Sequence, residues 1–142
     1  VALIVDDAAL RALLLRTRAI AVLGIKAGEA DDAYRVPRYM QAAGYRILPV
    51  NPRVAAVLGE RAVPKLSDVS EPYELLDVFR AVRHLPGHVD EILALPRRPA
   101  AVWFQTGIRH DPSAARLSAA GIDVVQDLCL MVEHQRLVGS AG

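Results

Sequence analysis

The run Ala19-Ile20-Ala21-Val22-Leu23, closed by Gly24 and followed by Ile25-Lys26-Ala27-Gly28, constrains the fold more than any other stretch. It is apolar, contains β-branched residues and is too brief for a helix, so it reads as a buried parallel strand entering a tight turn. The next helix is expected over roughly 34–43. Pro37 would sit in its first turn, where a missing N–H costs nothing, and Gly44 would supply a left-handed C-terminal cap. Strand, glycine turn and helix form a unit whose free amides and positive dipole end can hold phosphate groups without a catalytic side chain.

The same alternation continues along the chain. Asp6 or Asp7 caps a first helix to about Leu15, with Leu10, Leu13 and Leu14 on one stripe. A second strand in 45–52 stops at Asn51-Pro52, and Pro49, which cannot donate to a ladder, is expected in a distorted or late position. A helical turn over 54–58, an edge strand at 62–63, a loop over 67–72, a strand over 75–79 and a helix over 87–95 follow. The remaining elements are a strand over 101–105, a helix from Pro112 to Ala120 capped by Gly121, and a strand over 122–125. Strands separated by helical segments give an α/β fold with right-handed crossovers, a doubly wound parallel sheet of Rossmann-like type. The 142 residues are read as one domain, with 1–18 packed on it as an N-terminal helix and 139–142 as a frayed tail.

Composition narrows the partners. A net charge of +1 leaves no excess to hold a polyanion, so nucleic acid is not expected. Charge-free runs reach about half of the ~20 residues a membrane span needs. The first five residues are apolar but lack a preceding basic region and a cleavage site, so they are not read as a signal peptide. One cysteine excludes an internal disulfide and suits a reducing cytoplasm. The initial valine fits a trimmed or engineered chain.

In an open α/β sheet, ligands bind outside the carboxyl ends of the strands. Those ends carry Gly24, Ile25, Lys26, Ala27 and Gly28; Val50, Asn51, Pro52 and Arg53; Phe79 and Arg80; and Gln105, Thr106 and Gly107. Together they offer amides, cations, an aromatic face and a carboxamide, a set suited to an elongated phosphorylated ligand with a flat ring. The NAD fingerprint requires Gly-x-Gly-x-x-Gly and an acidic residue ending the second strand. Here Lys26 and Asn51-Pro52 stand in those places, while Arg53 keeps NADP open as an alternative.

These pieces, Val22-Leu23-Gly24, Val36-Pro37-Arg38-Tyr39, Gly44-Tyr45-Arg46, Pro49-Val50-Asn51-Pro52, Asp77-Val78-Phe79-Arg80 and Trp103-Phe104-Gln105-Thr106-Gly107, with Asp127, Cys129, Glu133 and His134, resemble the small single-domain CoA-binding proteins. Those are similar to the nucleotide-binding domain of the succinyl-CoA synthetase α subunit. The resemblance spans 19–137. It implies a Rossmann-like domain that holds coenzyme A along its carboxyl edge, and because no acid, base and nucleophile constellation stands out in the sequence, the leading expectation is non-catalytic binding of coenzyme A or an acyl-CoA. The segment from Gly24 to Gly28 would meet the phosphates, Asn51-Pro52-Arg53 the adenosine end, and Phe79-Arg80 with Gln105-Thr106 the remainder. Lys26 and Arg53 are expected to carry the phosphate charges. The loop departs from the family pattern at Ile25 and at Glu29-Ala30-Asp31-Asp32, and acidic residues beside a phosphate cradle oppose anion binding. With the alanine-rich first helix, this raises a second reading: a protein-interaction or homodimer surface formed by that helix and the 25–34 loop.

Catalytic and metal readings carry less weight. Cys129 and His134, five residues apart, fall on different helix faces with no group to orient the histidine. His84 and His88 have metal-pair spacing, but Pro86-Gly87 between them is expected to break the helix that would align them. Asp111 is expected to cap the helix at Pro112, and Asp77, inside a buried strand, requires a hydrogen-bond partner.

Overall fold

The structure, a computed structural model, describes residues 3–139; the readings made for 1–2 and 140–142 lie outside the described residues. The apolar runs become β1 (Ala19–Leu23), β2 (Arg46–Val50), β5 (Leu75–Val78), β6 (Ala101–Phe104) and β7 (Asp123–Val125), which form one parallel sheet in the order β2-β1-β5-β6-β7. Helices α1 (Asp7–Arg16), α2 (Asp32–Ala42) and α5 (Leu130–Leu137) cover one face, and α3 (Leu85–Ala94) and α4 (Asp111–Ala119) the other. Along β1, Ala19, Ala21 and Leu23 pack with α3 and α4, while Ile20 and Val22 pack with α1, α2 and α5. Burial on both faces explains why these strands read as unbroken apolar runs. Leu10, Leu13 and Leu14 form the expected buried stripe of α1, and Asp6 caps that helix by accepting from the Ala9 amide at 2.8 Å.

Several local expectations are corrected. Helix α2 begins at Asp32, so Pro37 lies inside it, beyond the first turn. The carbonyl that Pro37 cannot reach, that of Ala33, accepts instead from the Lys26 amide at 3.1 Å. Residues 54–58 do not form a helical turn. Strands β3 (Ala56–Val57) and β4 (Glu60–Arg61) make an antiparallel hairpin, turned by Leu58 (φ 56°) and Gly59 (φ 76°). Two positive φ angles at the turn match strand twist, and a five-residue apolar run cannot announce this in advance. A short 3₁₀ turn, Leu66–Asp68, takes up part of the expected loop, and the 62–63 strand reduces to a bridge between Val63 and Val50.

Helix α3 starts at Leu85, so Pro86 falls in its first turn, where it is tolerated, rather than breaking a helix. His110, not Asp111, caps α4, its Nδ1 accepting from the Ser113 amide at 3.2 Å. Pro49 lies fourth of five in β2, an edge strand, with its absent N–H on the outer side and its carbonyl accepting from Val63 at 3.0 Å.

Strand order reverses beside β1, since β2 lies to one side and β5 to the other. In open α/β sheets this reversal, outside the carboxyl ends of β1 and β5, is where ligands bind.

Candidate functional site

At that reversal the two strand ends are in tight contact. Gly24 has φ +86°, and a Cβ there would lie 2.3 Å from the Phe79 carbonyl oxygen and 3.2 Å from Arg80 Cδ. Only glycine satisfies both the left-handed backbone and the contact. The Gly24 amide donates to Val50 O at 2.9 Å and the Phe79 amide to Leu23 O at 2.9 Å, so the turn is tied to both neighbouring strands. Asn51 adds a clamp: its Nδ2 donates to Ile25 O at 2.7 Å, and its Oδ1 accepts from the Arg53 amide at 2.9 Å. Ile25 and Val50 are fully buried. Beyond them Lys26, Ala27 and Gly28, with Pro52 and Arg53, are exposed on the rim.

The Lys26 amide is engaged by Ala33, whereas the amides of Ala27 and Gly28 meet no protein acceptor among the described residues. The cations Lys26, Arg53 and Arg80 follow the carboxyl ends of three different strands, β1, β2 and β5. The acidic loop is partly compensated: Lys26 Nζ lies 4.0 Å from Asp31 Oδ1, and Asp32 pairs with Arg35. Asp31 still crowds the cradle, since a Cβ on Gly28 would lie 3.0 Å from its Oδ2.

Gln105 reaches the same edge, but its side chain turns inward. Its Nε2 donates to Asp77 Oδ1 at 2.5 Å and its Oε1 accepts from the Leu130 amide at 3.3 Å, so its carboxamide is engaged within the protein. Thr106 and Gly107 are exposed beyond it, the Gly107 amide donating to Asp127 Oδ1 at 2.6 Å. Asp77 thereby has the partner its buried strand position demanded. Burial pushes its carboxyl up to about 7, opposed by the hydrogen bonds from Gln105 and the Val78 amide, and its Oδ2 has no partner.

Two supporting residues were not found from sequence. His88 Nε2 accepts from Arg80 Nε at 3.2 Å, and His88 Nδ1 lies 2.6 Å from Glu91 Oε1. Their i, i+3 spacing on α3 was visible, but nothing local links them to a strand end in 75–80.

Cys129 and His134 do not meet as a nucleophile and base. Cys129 lies at the start of α5 packed in the apolar layer, while His134 Nδ1 is 2.8 Å from Tyr39 Oη. The rings of Tyr39 and Tyr45 stand edge-on to His134 at 5.4 and 5.7 Å, and burial holds the imidazole below its usual range. Leu15, Tyr45, His134 and Val138 line a cavity of about 610 Å³. It lies at the amino ends of β1 and β2, the opposite edge from the glycine turn. The His84 and His88 rings are 6.4 Å apart, and among the described residues no group of three or more His, Cys, Asp or Glu could hold a metal ion. No described helix is long and apolar enough to cross a membrane.

Comparison with known proteins agrees with this architecture. Residues 18–135 match the family described as CoA binding domain. The uncharacterized protein YneT of Bacillus subtilis (strain 168) is 34% identical over 129 residues, 91% of this chain and 94% of that protein. A solved structure from Thermus thermophilus, cell-free ID.343, shares 50% identity over 94% of this chain and 99% of that one, with a TM-score of 0.89. A hypothetical protein from Pyrococcus horikoshii OT3 shares 30% identity over 95% of this chain and 94% of that one, with a TM-score of 0.88.

Proposed function

The chain belongs to the CoA binding domain family, and on that premise we propose that its carboxyl rim holds coenzyme A or an acyl-CoA without performing chemistry on it. The observation that carries the reading is the turn after Gly24 at the strand-order reversal, where the exposed amides of Ala27 and Gly28 meet no protein acceptor among the described residues. Ala27 and Gly28 would supply amides, Lys26 and Arg80 positive charge for the diphosphate, and Arg53 the charge for the 3′-phosphate at the adenosine end. Asn51 acts by holding the two loops together, and Gln105 by fixing the strand end from within. The second strand ends without a carboxylate for a ribose 2′-hydroxyl, which favours CoA over NAD; NADP, with its 2′-phosphate near Arg53, is the competing nucleotide.

Titration calorimetry with CoA, NAD and NADP tests this. CoA is expected to bind most tightly, and acetyl-CoA to bind and be recovered unchanged. No heat and no thermal shift at millimolar CoA would remove the reading, as would equal affinity for NAD.

A second reading, a protein contact through α1 or a homodimer, is favoured by Leu15, which is 55% exposed at the mouth of the 610 Å³ cavity. Light scattering of wild type and Leu15→Glu decides it. A monomer in both, with no partner in a pull-down, ends it.

A further inference from the structure

We propose that His88 and Glu91 are positioning residues that hold Arg80 so that it meets a phosphate only with the two terminal nitrogens of its guanidinium. This rests on the CoA reading of the rim. Arg80 stands two residues beyond the end of β5, and its stem lies against the glycine turn, with Cδ 3.2 Å from the place a Gly24 Cβ would occupy. Its Nε donates to His88 Nε2 at 3.2 Å. A guanidinium can only donate, so Nε2 is the accepting nitrogen and the ring proton of neutral His88 sits on Nδ1. That proton faces Glu91 Oε1 at 2.6 Å.

The relay stands on α3, whose Leu85, Val89 and Ile92 are buried in the core, and the His88 side chain is 17% exposed. A flexible side chain is thus held from a rigid element, which lowers the ordering cost of binding. Arginine can fork an oxyanion through Nε and one terminal nitrogen, or through both terminal nitrogens. With Nε engaged by His88, the second mode is the one left. Neither terminal nitrogen of Arg80 has a partner among the described residues.

The test is a double-mutant cycle read by CoA calorimetry, using wild type, His88→Leu, Arg80→Gln and the pair, with His88→Gln as the conservative variant. His88→Leu is expected to weaken CoA by about 3- to 10-fold, the range expected for losing one pre-ordered side chain. His88→Gln, which keeps an acceptor, should recover most of that loss. Arg80→Gln should weaken CoA further, and adding His88→Leu to it should change nothing. Thermal melts confirm that each variant folds. If wild type binds CoA and His88→Leu binds equally well, or loses as much in the Arg80→Gln background, the positioning role is wrong while the CoA reading stands. If wild type binds no CoA, both fall. Nitrogen NMR of the imidazole reads the relay without ligand: a proton on Nδ1 supports it, and one on Nε2 overturns it.

Discussion

Asp77 makes the stability of this protein depend on pH in an unusual direction. It lies fully buried in the central strand, with Gln105 on one oxygen and nothing on the other, and its carboxyl is raised from 3.8 to about 7. Between those values the folded chain holds a proton that the unfolded chain has released. Stability contributed by the neutral acid is therefore complete below about pH 4, falls as pH rises, and is lost above about pH 7. At about 1.4 kcal/mol per pH unit, the displacement corresponds to about 4 kcal/mol. Asp77→Asn keeps the shape and an oxygen for the Gln105 amide but cannot ionise. The stability of Asp77→Asn relative to wild type should therefore climb by about 4 kcal/mol from pH 4 to pH 8. Urea unfolding at half-unit intervals measures this directly. Asp7, Glu71 and Glu74 are held low by hydrogen bonds and His134 is held low by burial, so they impose their own pH slopes. Those groups are common to both proteins and cancel in the difference. If the two stability curves run parallel over the whole range, Asp77 is not a neutral buried acid and the argument fails.

Gly24→Ala should cost at least about 2 kcal/mol in urea unfolding, because the backbone is left-handed and the added carbon meets the Phe79 carbonyl; CoA binding should be lost with it. Retention of both would show that the β1 and β5 ends do not meet as described. Arg53→Gln should reduce the preference for CoA over dephospho-CoA by about 10-fold in calorimetry, the scale of one charge-assisted hydrogen bond. An unchanged ratio removes Arg53 from the 3′-phosphate. Trp103, the single tryptophan, is fully buried and donates through Nε1 to Leu128 O at 2.8 Å. Trp103→Phe should cost about 2–3 kcal/mol by thermal or urea melt, since it empties space and leaves a carbonyl unpaired; a loss below about 0.5 kcal/mol would contradict that packing.

What could be read in advance, and what could not, follows from how far each signal travels along the chain. Strands buried on both faces must be almost wholly apolar, so β1, β5 and β6 were visible as runs, and Gly24 after β1 and Gly107 beyond β6 marked the rim. Pairings across the fold leave no such trace. The Asp77–Gln105 contact spans 28 positions and the Asn51–Ile25 contact 26. The residue types gave notice that partners were needed, but not which partners they were. Pro37 shows how a misread local signal still bears on the site. Placed in the first turn of α2 it would be inert, but inside the helix it frees the Ala33 carbonyl, and that carbonyl captures the Lys26 amide. The loop that would hold phosphate is therefore bent onto its own helix by the absence of a proton on residue 37. A proline that reads along the sequence as the start of a helix is, in three dimensions, one of the groups that shape the cradle.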